Sequence, residues 1–254
     1  MKKNLFLFLT VIAFGLGLSS CLSGGSQHFA EVAIVYIDTH EAGGFTTYGK
    51  THTGKAITST QIKLMQPNTF KLFYYAWDEE NGFTDLGEEG SLFNVQMGDE
   101  VKDIAGTRLN TYASAPEEDK GSLFEEIAAP IYSARGDWFD DFWVFQYNYK
   151  AKEDEKPSVS FFLRQNDEEE ENKNLKVDIR LNITGEPKEG ASEKVYSEIV
   201  AVNMEEIRHT YLSSQEGKEE ISIEFYYHNE EDKDPILLKA YETSEWKMIK
   251  PKSN

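Results

Sequence analysis

From Leu175 to Ile183 the chain alternates without a break. Leu175, Val177, Ile179, Leu181 and Ile183 are branched aliphatics, and Lys176, Asp178, Arg180 and Asn182 between them are polar. A period of two places each set on its own face of an extended strand, whereas a helix would scatter both around its axis. Such a strand has one apolar face to bury, so it needs neighbouring strands and a packed layer beneath it. That constraint selects a β-sheet fold. Ile221, Ile223 and Phe225 repeat the alternation against Ser222 and Glu224. Further strand-like runs are Val32 to Ile37, Phe70 to Trp77, Leu92 to Val101 (interrupted at Gly98-Asp99), Trp138 to Tyr149, Val159 to Leu163 and Leu237 to Tyr241. Polar, glycine-bearing turns separate them. Val200 to Arg208 reads equally well as strand or helix, and no long repeat recurs, which excludes solenoids and propellers.

The chain has 254 residues, of which 39% are hydrophobic and 13% aromatic, enough for a packed core in one large or two small domains. Pro116 to Glu126 is acidic and helix-permissive, with proline at a possible first helical position. It separates two strand-rich halves. The expected organisation is therefore all-β, with a first domain over residues 30–112, a linker over 113–130 and a second domain over 131–250. Twenty-six basic against 45 acidic side chains give a formal charge of −19. A surface of that sign repels phosphate backbones, so nucleic acid is not an expected partner.

The first residues form a targeting signal. Lys2 and Lys3 precede an apolar stretch from Leu5 to Leu18 that is too short for a membrane span and fits a secretory signal peptide. Leu18-Ser19-Ser20-Cys21 resembles a bacterial lipobox, which implies cleavage after residue 20 and lipidation of Cys21, the only cysteine. Residues 1–20 are then signal peptide and 21–29 a lipidated tether that fixes the chain to a membrane. No aspartate follows Cys21, and Leu22 to Gln27 carries no acidic cluster. The expected location is the outer membrane of the cell envelope, facing the periplasm rather than the surface.

Few motifs carry chemistry. Gly49 to Ala56 follows the spacing of a phosphate-binding loop, but Ala56 stands where a hydroxyl should hold magnesium, and no amphipathic helix follows. A hairpin turn is the better reading, and no nucleotide is expected. His40 and His52 could meet across a hairpin beside Asp38 or Glu41, yet no paired-histidine spacing accompanies them, so no metal is assigned. Asp78 to Gly82 lacks the alternate-residue spacing of a calcium loop, and Asp167 to Glu171 has no glycine for a tight turn. No nucleophile elbow is present and lipidation consumes the one thiol, so no catalytic residue and no cofactor are expected. Aromatics are the remaining lead. The rings of Phe73 to Trp77 and Trp138 to Tyr149 exceed what one strand face can bury, which makes Tyr75, Trp77, Trp138 and Trp143 the candidate ligand-binding residues.

The layout resembles the NigD-like lipoproteins. The resemblance is carried by Ala33-Ile34-Val35-Tyr36-Ile37, Phe70-Lys71-Leu72-Phe73-Tyr74-Tyr75 and Val101-Lys102-Asp103-Ile104 in the first half. In the second it rests on Ala129-Pro130-Ile131-Tyr132, Asp137 to Val144 and Phe225-Tyr226-Tyr227-His228-Asn229. It implies a small OB-like barrel followed by a β-sandwich, and it brings no activity to assign to residues. The expected function is a non-enzymatic outer-membrane binding or adaptor module for an envelope protein or glycan. The alternative is an immunity lipoprotein that neutralises a bacteriocin or toxin through its acidic loops. A glycan hydrolase would need two carboxylates facing each other across a cleft.

Overall fold

The structure, a computed structural model, describes residues 27–40, 46–87, 90–116, 121–164, 174–213, 218–229, 234–240 and 243–251. Cys21 and the acidic run Asp167 to Glu171 lie outside this set. The described chain is built almost wholly of strands and divides into two compact units between Ile104 and Ala105. The fold is all-β. No described helix is long and apolar enough to cross a membrane.

The first unit contains β1 (His28–His40), β2 (Thr46–Thr51), β3 (Ala56–Thr58), β4 (Thr69–Asp78), β5 (Phe83–Asp85), β6 (Ser91–Asn94) and the start of β7 (Gln96–Asn110). β1 pairs antiparallel with β2 and β4, and β2 pairs antiparallel with β3. Only Val95 separates β6 from β7, so the two act as one bent segment. β6 runs parallel to β3 and β7 runs antiparallel to β4, which closes the ring back to β1. This is an OB-like barrel, a closed sheet with no long free edge between its stations. Ala33, Val35 and Ile37 face its core with Ile57, Phe73, Tyr75, Trp77 and Val95. The intervening Ile34 and Tyr36 are buried too, with Tyr36 against the Phe70 ring at 4.9 Å and donating to Asn68 Oδ1 at 3.0 Å. That double burial accounts for the unbroken aliphatic run the sequence shows there.

One carboxylate is built into the barrel. Glu31 accepts from the Tyr75 hydroxyl, from Thr53 Oγ1 at 2.8 Å and from Lys55 Nζ at 3.0 Å, with only 8% of its side chain exposed. Burial alone would raise its carboxyl, but these donors outweigh it and hold the group below its ordinary value. Burial and the Glu31 charge push the Tyr75 hydroxyl far up, so it remains a donor. Thr51 and Lys55 close the β2–β3 hairpin, since Thr51 N donates to Lys55 O and Lys55 N to Thr51 Oγ1, both at 2.9 Å. The resemblance to a phosphate loop thus dissolves into a hairpin. Gly54 supplies its left-handed turn at φ 81°, and a Cβ on Gly49 would stand 2.5 Å from Val35 Cγ1.

The second unit contains the rest of β7, β8 (Phe124–Ile127), β9 (Phe142–Ala151), β10 (Lys156–Leu163), β11 (Leu175–Thr184), β12 (Lys194–Asn203), β13 (Glu220–Tyr227), β14 (Ile236–Leu237) and β15 (Trp246–Ile249). One sheet runs β8–β9–β12–β7 and the other β7–β10–β11–β13, with β14 and β15 both on β13. β7 serves both, because Ala105 to Arg108 pair with β12 and then Leu109 and Asn110 pair with β10. The two sheets share a core. Phe145 of one meets Phe161 and Phe225 of the other at ring distances of 5.2 and 5.0 Å. The unit is a β-sandwich. On β11 the alternation is realised with one addition: Asp178, on the polar face, is buried, and Arg164 grips it through two nitrogens at 2.7 and 2.8 Å. Arg208 is buried beside Asp141 and donates to the carbonyls of Ile249 and Ala134, binding three distant segments together.

Several boundaries differ from the expectation. The units meet inside β7, which runs unbroken through residue 104, rather than in a linker over 113–130. That stretch holds β8, and Ser122 N donates to Leu181 O at 2.7 Å. The strand expected from Trp138 starts at Phe142, because Gly136 (φ 83°) and Asp140 (φ 51°) make a turn no strand can pass. The break expected at Gly98-Asp99 falls at Val95, and Gly98 instead lies within β7 against a bulge at Tyr74. Val200 to Asn203 is strand, followed by a helical turn, Glu205–Ile207, and a π-helical turn, Arg208–Ser213.

Two outcomes follow for stability. Glu31→Ala, which strands three donors, should lower the unfolding free energy of the barrel by about 2–4 kcal/mol in denaturant melts. Because its folded-state carboxyl lies below the ordinary 4.5, Glu31 stabilises fully above that value, and the contribution drains away as pH falls through the depressed one. The melting temperature of the native chain should therefore drop more steeply below pH 4.5 than that of Glu31→Gln, and parallel curves would refute the assignment.

Candidate functional site

An open groove of about 590 Å³ crosses the outside of the barrel. Its floor is the bent β6–β7 segment. Phe93, Val95 and Met97 pack on the core, so by strand alternation Asn94 and Gln96 point the other way, into the groove. One wall is the end of β3 and the turn after it, Thr58 to Lys63, where Ser59 Oγ caps Ile62 N at 3.1 Å and starts a 3-10 turn. The other is Asn81 and Thr84, on the turn between β4 and β5 and on β5 itself.

The lining is polar and nearly uncharged. It consists of hydroxyls (Thr58, Ser59, Thr60, Thr84), carboxamides (Gln61, Asn81, Asn94, Gln96), the apolar pair Val95 and Met97, and one cation, Lys63. Neighbours hold the carboxamides in place. Asn94 Oδ1 accepts from Thr84 Oγ1 at 2.6 Å while its Nδ2 donates to Asn81 O at 3.0 Å. Gln96 Nε2 donates to Asn81 Oδ1 at 3.4 Å, which leaves Gln96 Oε1 and Asn81 Nδ2 without a partner among the described residues. Thr58 is 2% exposed, and its hydroxyl makes no hydrogen bond. An unsatisfied buried hydroxyl costs about 1–3 kcal/mol. Arranged donors and acceptors of this kind can hold a polar molecule by hydrogen bonds.

The structure scatters the aromatic residues on which the sequence reading placed a ligand. Tyr75 and Trp77 fill the barrel core, Trp77 stacking on Phe29 at 5.4 Å and donating from Nε1 to Gly82 O at 2.9 Å. Trp143 is fully buried in the sandwich, stacked on Tyr132 at 3.9 Å. None of these three offers a face to a ligand. Trp138 alone is exposed, at 38%, in the turn ahead of β9. The surplus rings are absorbed because both units pack aromatics against aromatics across their cores. His40 and His52 lie toward opposite ends of the β1–β2 hairpin, since His40 pairs with Thr46 and His52 N bonds Ile34 O. Among the described residues no three His, Cys, Asp or Glu side chains gather to hold a metal. The groove residues went unnoticed because Asn94 and Gln96 look like the ordinary wet face of a strand, and only the fold brings Asn81, Thr84 and Thr58 beside them.

No protein-family model matches the chain, and no curated protein is similar to it in sequence. Solved structures do share its fold. A protein of unknown function, DUF1344, from Bacteroides vulgatus ATCC 8482 superposes with a TM-score of 0.55 at 12% identity, over 85% of this chain and 92% of that one. An uncharacterised protein from Parabacteroides merdae ATCC 43184 gives 0.54 at 14% identity, over 78% and 88%. A candidate lipoprotein from Bacteroides fragilis NCTC 9343 gives 0.49 at 14% identity, over 90% and 100%. For the first two the likeness is one of fold.

Proposed function

We propose that this chain is a lipid-anchored protein of the cell envelope that binds an envelope component without transforming it, through the groove on its barrel. The groove carries the reading: it is lined by hydroxyls and by carboxamides held in place by their neighbours, and the lining contains no carboxylate, histidine or cysteine. The anchor is Cys21, supported by the run Leu18-Ser19-Ser20-Cys21 and by a glycine- and serine-bearing segment ahead of β1. An OB-like barrel followed by a β-sandwich fits the NigD-like resemblance of the sequence, and an outer-membrane site facing the periplasm fits the residues after Cys21.

Cys21→Ala should shift the protein from the membrane pellet to the soluble fraction, while an unmoved protein would remove the anchor. Incubated with oligosaccharides and peptides released from the envelope, the purified chain should return every one at unchanged mass, and any cleavage product would overturn binding without turnover. Affinity at a groove whose one charged lining group is Lys63 should change little when salt is raised. Collapse at high salt would instead favour a cationic partner on the acidic surface, as an immunity protein requires.

A further inference from the structure

We infer that the ligand of the barrel groove is a neutral oligosaccharide, held by Asn81, Asn94 and Gln96. The inference rests on the binding role proposed above and names the chemistry that the groove selects.

The first argument is electrostatic. A chain of formal charge −19 repels anions at long range, while the one ionic group in the groove, Lys63, offers a cation nothing to pair with. A neutral ligand escapes both penalties. The second is the match of donors and acceptors. Each sugar hydroxyl both donates and accepts, and a carboxamide presents one group of each kind at a fixed separation. Here Gln96 Oε1 and Asn81 Nδ2 stand open, as acceptor and donor, on two side chains already joined to each other. Such residues are pre-organised and lose little freedom on binding.

The third argument separates a sugar from a peptide. An extended peptide is captured chiefly by main-chain hydrogen bonds to a free strand edge, with pockets for alternate side chains. At the groove floor those N–H groups are already used: Asn94 N donates to Gly82 O at 3.2 Å and Val95 N to Thr58 O at 2.9 Å. What remains is side-chain polarity, with Val95 and Met97 as the sole apolar lining, too little to seat a hydrophobic anchor. A volume of about 590 Å³ lies in the ordinary range for small-ligand sites and admits a short oligosaccharide.

The test is a nuclear magnetic resonance titration of the chain from Leu22 to Asn254. The probes are neutral oligosaccharides of glucose, mannose, galactose and N-acetylglucosamine at millimolar concentration, with uncharged peptides of similar length alongside. At least one sugar should shift the amides of Asn94, Gln96 and the Thr58 to Lys63 wall. Gln96→Ala, at an exposed position, should raise its Kd about three- to tenfold without changing the melting temperature. Thr58→Val keeps the side-chain shape and removes the orphan hydroxyl. It should leave the fold as stable or more so and sugar binding unchanged, since that hydroxyl is closed off from the groove. Native sugar affinity in Gln96→Ala, or no sugar shifting these amides, would overturn the inference. Peptide binding at the same amides without sugar binding would overturn it as well, while leaving the groove a binding site. Cleavage of a bound sugar would instead overturn the reading on which it rests.

Discussion

The barrel depends on one exchange of partners. At Val95 the chain leaves β5 behind and takes up β4, while on its other side Val95 N makes a last bond to the carbonyl of Thr58. A single segment thereby pairs with strands on both sides of the opening and closes the ring. Had β6 run straight on beside β3 and β5, β4 would have kept a bare edge and the aromatic core an open side. The same exchange shapes the groove, because β3 ends at Thr58 and the turn after it, tied to Met97 Sδ by Ser59 Oγ at 3.2 Å, forms the wall beside Gln96. Closure and site are consequences of one local event. Asn94 and Gln96, on either side of Val95, bear the side chains that the exchange turns outward.

Against that frame the buried polar groups sort by how fully they are satisfied. Glu31 has three donors, Asp178 a two-pronged arginine, and Arg208 a carboxylate and two carbonyls. A chain with so many acids buries a carboxylate only where several donors converge, since the cost of desolvation otherwise exceeds the gain. Thr58 breaks this pattern. Trp143 Nε1 and two nitrogens of Arg180 also lack partners, but neither residue borders the groove. Thr111 Oγ1 is a second hydroxyl without a partner, and like Thr58 Oγ1 it is closed off from solvent.

The fold was largely legible because its signal is periodic. β11 and β13 are written in alternation, and β1 and β4 in aliphatic and aromatic runs bounded by turn residues, so strand identity needed no tertiary information. The short strands were silent. β3 and β5 have three residues each and β14 two, too few for any period to register. The division of the chain was misplaced for a physical reason: an acidic, proline-bearing stretch looks like a linker, yet the real division lies within a long strand that changes partners. The site was hidden more deeply. Aromatic residues advertise binding in a sequence, but Tyr75, Trp77 and Trp143 are consumed by two cores. The groove draws instead on carboxamides and hydroxyls scattered from Thr58 to Gln96, residue types common on any surface.

The position of the groove bears on where its ligand can be found. Between Cys21 and His28 lie seven peptide steps, which extended span at most about 25 Å. With a lipid on Cys21, the start of β1 therefore stays within that distance of the bilayer. Gln27, the residue before β1, is joined by its carbonyl to Glu79 N at 3.0 Å, and Glu79 opens the turn that ends at Asn81 in the groove wall. The groove thus belongs to the end of the barrel nearest the anchor. With that lipid in place, a short tether would keep the groove near the membrane and raise the effective concentration of a ligand lying there. That economy agrees with a groove built from a few well-held hydrogen-bonding groups rather than from a deep apolar pocket.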